Sequence, residues 1–350
     1  MQLKGLIYIK KETLVRAMIE GAVNLVLKKV ESDPKRSIRN LIELAMNNSH
    51  GRFQRSFFED AQRMLANEDS AYYTLADRVI SKVDHNILKK FGINLGYNGC
   101  TCGAKKIRQN ETRLGFNIPW AIYIDTDGAD DKFTDAISKI ISEGMELGVY
   151  VYIVFGEHSL SRSIREVYRR FDECAFIAAC QADSLSESLP DDFDGIYNAA
   201  FSVSSDDMQK LERACEILRE GRRLYGVHEY YNDASAQNLL TDNQLERYKG
   251  TEGVFVCCIS EDGCASDTLE YTKSRVREIR FGQMYPYFAM DFAADMDEID
   301  HIISDDTCWV CFSADRTIYS CTGKYSGSEY DITANPLSDI LRRVTPPKQV

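Results

Sequence analysis

The stretch NIPWAIYIDTDGADDKF, residues 117–133, decides how the rest of the chain is read. Trp120 to Ile124 is a short apolar run. It breaks at Asp125 into a Gly-bearing turn, which is the chemistry of a strand reaching its end. Asp125, Asp127, Asp130 and Asp131 crowd that turn. A loop of this kind suits a metal site, a phosphoryl-transfer site or the remnant of a longer loop.

Downstream of Trp120 the apolar pattern alternates between strand and helix. Strands are expected at Ala121–Asp125, Val149–Phe155, Ala175–Cys180, Ile196–Val203, Gly226–Tyr231 and Gly253–Ile259. Helices are expected at Lys132–Leu147, Ser161–Arg170, Asp206–Arg219 and Asn238–Lys249. Repeated strand–helix units of this size predict an α/β fold on a parallel sheet. Upstream, Val15, Met18, Ile19, Ala22, Val23 and Val26 recur at helical spacing. Further helices are predicted at Arg36–Met46, Phe53–Leu65 and Ala71–Val83, with Asp84 placed to cap the next one. Residues 86–116 read as a connector, with a Gly-punctuated loop at 98–106. CWVCFSADRTIYSC, residues 308–321, has a period of two and predicts a hairpin turning at Ala314-Asp315-Arg316. Thr345–Val350, with its two prolines, is expected to fray.

The chain has 350 residues, 44% hydrophobic and 27% charged, enough for a packed core. Its formal charge of −12 argues against a nucleic-acid partner, because phosphate contacts come mostly from Lys and Arg. Lys105, Lys106 and Arg108 read as a solvated helix face. No apolar run is long enough to span a membrane. Met1–Glu12 has no secretory pattern, so the eleven cysteines read as reduced thiols of a cytoplasmic protein.

A calcium loop starting at Asp125 fails on its own spacing, with Ala129, Asp130 and Ala136 where an oxygen ligand, Gly and Glu are needed. An apolar strand followed by Asp-x-Asp-Gly resembles the first motif of haloacid-dehalogenase-type phosphatases. That resemblance implies Asp125 as nucleophile, Asp127 as proton shuttle and Mg²⁺ as cofactor. The chain departs from it in having Ala129 after the Gly, and in lacking a Lys followed by a strand-ending acid pair.

A longer resemblance covers most of the chain. YNGCTCGAKKIRQNETRLGFNIPWAIYID, residues 97–125, resembles the approach to the barrel in a group of radical S-adenosylmethionine enzymes. In that group the strand and its Asp lead into Cys-x3-Cys-x2-Cys, which holds a 4Fe–4S cluster that chelates the cofactor. Here KFTDAISKIISEGMELG, residues 132–148, follows almost directly, with no cysteine between Asp125 and Tyr150. VYVYIVFGEHSL, residues 149–160, is similar to the family's second strand, which ends in Gly-Gly-Glu-Pro. Gly156 and Glu157 match, while Phe155 and His158 replace the outer two. FDECAFIAACQAD, NAAFSVSSDD and YGVHEYYNDAS are similar to strands three to five.

The resemblance implies a partial six-stranded barrel at 117–305, an N-terminal helical region and connector at 1–116, and a C-terminal hairpin and helix appendage at 306–350. It also implies that Glu157 lies where S-adenosylmethionine binds. With three thiolates missing, a 4Fe–4S cluster is not expected. S-adenosylmethionine is the one cofactor the resemblance leaves open. The expected protein is a non-catalytic relative that binds a protein, a peptide or a small molecule in the old cleft. Asp125, Asp127, Gly156, Glu157, His158, Ser202 and His228 are its candidate lining, and His158 is placed to pair with Asp125 or Asp127. Cys100, Cys102, Cys308 and Cys321 are the candidates for a relocated metal site. Cys308 and Cys321 match cysteines that flank a hairpin in the family.

Overall fold

The computed structural model describes residues 34–47 and 52–348. The helix expected over residues 15–26 lies outside them. The described chain opens with helices α1 (Pro34–Asn47), α2 (Arg52–Leu65), α3 (Tyr72–Lys82) and α4 (His85–Gly92). A π-helical stretch, Ile93–Gly103, leads into α5 (Ala104–Leu114). Alternation then begins with β1 (Ala121–Asp125), α6 (Asp131–Leu147), β2 (Val151–Phe155), α7 (Arg162–Arg170) and β3 (Ala175–Gln181). It continues through α8 (Leu189–Asp192), β4 (Ala199–Ser204), α9 (Met208–Glu220), β5 (Tyr225–Tyr231), α10 (Ala236–Leu239) and α11 (Asp242–Gly250). Next come β6 (Phe255–Ser260), α12 (Ser266–Gly282), β7 (Phe288–Asp291) and α13 (Phe292–Ser304). The last elements are β8 (Val310–Ser313), β9 (Ile318–Ser320), β10 (Gly323–Tyr325) and α14 (Leu337–Val344). No described helix is long and apolar enough to cross a membrane.

These elements form a mixed α/β protein on one ten-stranded sheet, in the order β10-β9-β8-β1-β2-β3-β4-β5-β6-β7. The strands from β8 through β1 to β7 run parallel, and β9 and β10 are antiparallel additions. The six predicted strands are present, with ends shifted by a few residues. The predicted hairpin forms too, but β8 also pairs along its other edge with β1, Tyr123 opposite Cys311 and Asp125 opposite Ser313. The segment expected as an appendage is therefore built onto the main sheet.

Side-chain alternation divides the sheet into two faces. Ile122, Ile124, Tyr152, Val154, Phe176 and Phe201 are buried on one face, among the helices that connect the strands. There the Tyr168 ring of α7 lies 4.6 Å from Phe176, and Phe193 lies 4.9 Å from Phe201. Helix α6 buries Phe133, Ala136, Ile137, Ile140 and Ile141, one apolar stripe at helical spacing. Tyr123, Asp125, Ile153, Phe155, Ser202, His228, Tyr230 and Ser313 share the other face through the strand registers. Ile87 and Phe91 of α4 pack on that face against Ala175 and Ala200, at the amino ends of β3 and β4. The helical region thus covers the amino end of this face and leaves its carboxyl end for a site.

Two local expectations are corrected. Residues 98–103, expected as a loop leading into a helix, are themselves helical, and two of the three cations that follow bridge elements: Lys106 Nζ donates to Met145 O at 2.8 Å and Arg108 Nη1 donates to Ile303 O, while Lys105 is exposed. Residues 345–348 are pinned rather than frayed. Thr345 is buried and its hydroxyl donates to Asn117 O at 2.8 Å, while Asn117 N–H donates to Pro346 O and Lys348 N–H to Gly115 O.

Candidate functional site

The turn after β1 is closed by its own carboxylates. Asp125 Oδ1 accepts the Asp127 N–H at 3.0 Å, and Asp125 Oδ2 accepts the Ser313 hydroxyl at 3.0 Å. Asp127 Oδ1 accepts the Glu157 N–H at 2.6 Å, which ties the turn to the end of β2. Asp130 caps α6 by accepting the Phe133 N–H at 2.8 Å, satisfying a donor that the helix start leaves open. Thr126 is fully buried and donates through its hydroxyl to Phe155 O at 2.6 Å. Gly156, with φ of +95°, sits under this clasp. A Cβ there would lie 2.6 Å from Asp127 Oδ1 and 3.1 Å from Asp125 Oδ1.

The structure brings Asp125, Asp127, Gly156 and the Glu157 backbone together. The Glu157 side chain is exposed, and His158 forms no hydrogen bond with Asp125 or Asp127; the expected pairing is replaced by the Glu157 N–H. Ser202 and His228 form a second group. Ser202 Oγ and His228 Nδ1 lie 2.9 Å apart, both buried, on neighbouring β4 and β5. Burial lowers the His228 pKa to about 4, so the ring is neutral at ordinary pH.

Two residues of the site escaped the sequence reading. Tyr230 stands on the same face of β5 as His228, its ring edge-on to the imidazole at 5.5 Å, and it is 49% exposed. Burial raises its pKa first, with Cys257 and then Asp127 adding to the shift, so the phenol feels a charge from the turn after β1. The alternation Gly226, His228, Tyr230 within YGVHEYY was the signal for it. Ser313 carried no local signal, because its role comes from the β1–β8 pairing. Beside it a recess of about 70 Å³ opens at the carboxyl ends of β1 and β8, lined in part by Asp130, Phe133, Ser313, Arg316 and Thr333. Of the parallel neighbours in the sheet, β1 and β8 alone are not consecutive in the chain. In open α/β sheets a crevice at such a point favours ligand binding.

Among the described residues, no three of His, Cys, Asp and Glu converge to hold a metal ion. Cys100 is buried, its thiol pushed up to about 12 by that burial, and Cys102 lies in the same π-helical stretch. That stretch rests on Val151 at the amino end of β2, the end away from Asp125. Cys308 is buried, which raises its thiol, while the half-exposed Cys321 is lowered to about 7, chiefly by the Cys308 thiol.

No protein-family model matches this chain, and no curated protein does. Among solved structures it is similar to native anSMEcpe with bound AdoMet, at 10% identity and a TM-score of 0.44, over 64% of this chain and 83% of that one. It is also similar to tryptophan synthase from M. tuberculosis in its aminoacrylate- and BRD0059-bound form. That match has 9% identity and a TM-score of 0.33, over 56% of this chain and 96% of the other. Neither likeness is close enough to say what this chain does.

Proposed function

We propose that this chain is a radical S-adenosylmethionine-like protein whose cluster site has been closed. In this reading it binds a small cationic ligand over the carboxyl end of the sheet and performs no radical chemistry. The carrying observation is the junction between β1 and α6. Its carboxylates are engaged on the chain's own donors, with Asp125 on the Asp127 N–H and Ser313, Asp127 on the Glu157 N–H, and Asp130 on the helix start. A 4Fe–4S cluster with an open iron needs three thiolates at one place, and this junction contains none. Aspartate oxygens are hard donors and replace soft thiolates poorly. The residues present do not fit the cluster.

The reading treats the sheet as a partial barrel. Seven parallel strands follow one another in chain order, as the strands of such a barrel do. In this reading the cleft at the carboxyl end of the sheet takes in the exposed Asp127 and Glu157 and the half-exposed ring of Tyr230. Carboxylates beside an aromatic face suit an amine or a quaternary ammonium. S-adenosylmethionine, a sulfonium, falls in the same charge class.

Iron and acid-labile sulfide, measured after anaerobic reconstitution, test the closed junction. The expected protein is colourless and without stoichiometric iron. About four irons per chain would overturn the reading and point to relocated cysteines. The phosphatase alternative predicts Mg²⁺-dependent hydrolysis of a phosphate ester that Asp125→Asn abolishes. The expected result is no turnover, because both Asp125 oxygens are committed to the fold.

A further inference from the structure

A second place in the molecule holds buried charge without a matching partner. It lies at the amino ends of β5 and β6, where α3 docks against the end of α9. A recess of about 20 Å³ is lined there by Arg78, Lys82, Arg219, Arg223, Glu252 and Val254. Arg223 is 5% exposed. Its Nη2 donates to Phe193 O at 3.1 Å and to Ile196 O at 2.9 Å, but its buried Nε has no partner among the described residues. Arg78 repeats the pattern. Its Nη2 donates to Gly253 O at 2.9 Å and to Pro286 O at 2.6 Å, and its buried Nε is also unpartnered.

The charge does not balance either. Glu252 is shared by Lys82 at 2.8 Å and Arg219 at 3.4 Å. Among the described residues two further acids act on the group through Arg223: Asp84, whose carboxylate also accepts the Asn86 N–H, and Asp194. Four cations therefore face three carboxylates, an excess of one positive charge. Buried donors without acceptors are rare, and an unseen water or ion is one of their ordinary explanations. A water would satisfy two N–H groups but would leave the excess charge, which is costly at the buried Arg223 guanidinium even though Lys82 and Arg219 reach the surface.

We propose that this recess binds a small monovalent inorganic anion of chloride size, held by the free Nε–H groups of Arg78 and Arg223 with Arg219 and Lys82 supplying charge. The volume holds about one water-sized particle, which excludes a phosphate ester or a nucleotide. The bound anion joins α3 of the helical region to α9 and the strand loops, so its occupancy adds to the stability of that docking.

Thermal unfolding of the whole chain in sodium chloride and in sodium gluconate, at equal ionic strength, tests this. Wild-type Tm is expected to rise with chloride and to saturate. Chloride-35 resonance broadening by the folded protein should saturate over the same range, and bromide should compete. Arg219→Gln, at the partly exposed rim, is expected to raise the half-saturating chloride concentration roughly tenfold, the order expected for removing one nearby unit charge. Lys82→Gln, further out, serves as the second variant if Arg219→Gln does not fold. Equal melting in both salts with no broadening would mean that water fills the recess, and the proposal fails. A chloride effect unchanged in the variants would be a general salt effect, and the proposal fails equally.

Discussion

Gly156→Ala is expected to lower the unfolding free energy by about 2–4 kcal/mol, the combined cost of a left-handed non-glycine residue and of an overpacked contact. The backbone at Gly156 has φ of +95°, and the new Cβ would lie 2.6 Å from Asp127 Oδ1 and 2.8 Å from Asp127 N. Neither atom retreats cheaply. Asp127 Oδ1 holds the Glu157 N–H, and the Asp127 N–H is held by Asp125. Relief of the contact opens the clasp between β1 and β2. Gly128, in the same turn, supplies the control: its φ is +71°, and nothing lies within 4 Å of a Cβ built there. Gly128→Ala should cost only the conformational part, about 1–2 kcal/mol. Denaturant unfolding of the three proteins measures both contributions. Equal losses in the two variants would mean that the clasp yields freely, and the closed-junction reading would lose its mechanical basis.

The same turn shows what local sequence carries. AIYID ends where its apolar run ends, and β1 has the predicted bounds. The carboxylates after it looked like ligands, because the donors that satisfy them were out of view. Glu157 N–H is 30 residues from Asp127, and the Ser313 hydroxyl is 188 residues from Asp125. Strand β8 was hidden for the same reason. Its four residues announce a hairpin through their period, but nothing local says that their other edge pairs with β1. The glycines of residues 98–106 read as loop because glycine is a poor helix former. Gly99 and Gly103 are instead points of close approach, where a Cβ would meet Val151 and the Gly148 carbonyl at 2.8 and 2.4 Å. Tertiary packing overrode propensity there, and spacing along a chain does not encode it.

Lowering the pH from about 6.5 to 4 is expected to remove about 3 kcal/mol of the stability that His228 contributes. Burial holds the folded imidazole at about 4, below the 6.5 of an open histidine. Between those values the unfolded chain binds a proton that the folded chain refuses. Stability from this group is therefore complete above pH 6.5 and is lost as pH falls through 4, at about 1.4 kcal/mol per pH unit. The wild-type curve alone will not display this slope. Glu229, the next residue on β5, is raised to about 7, mainly by burial and then by Asp206. A carboxyl raised in the fold contributes stability at low pH that disappears as pH rises toward 7, so over the same window the two groups oppose each other. The informative quantity is the difference between wild type and His228→Gln, which removes the imidazole and leaves Glu229 in place. That difference should shrink steadily from pH 7 to pH 4 in urea unfolding experiments. Tyr230 decides whether it does, because its ring stands edge-on to His228 on the open side of the face. A constant difference would mean that water reaches the imidazole past Tyr230. The Ser202–His228 pair would then belong to the floor of the ligand cleft rather than to the core beneath it.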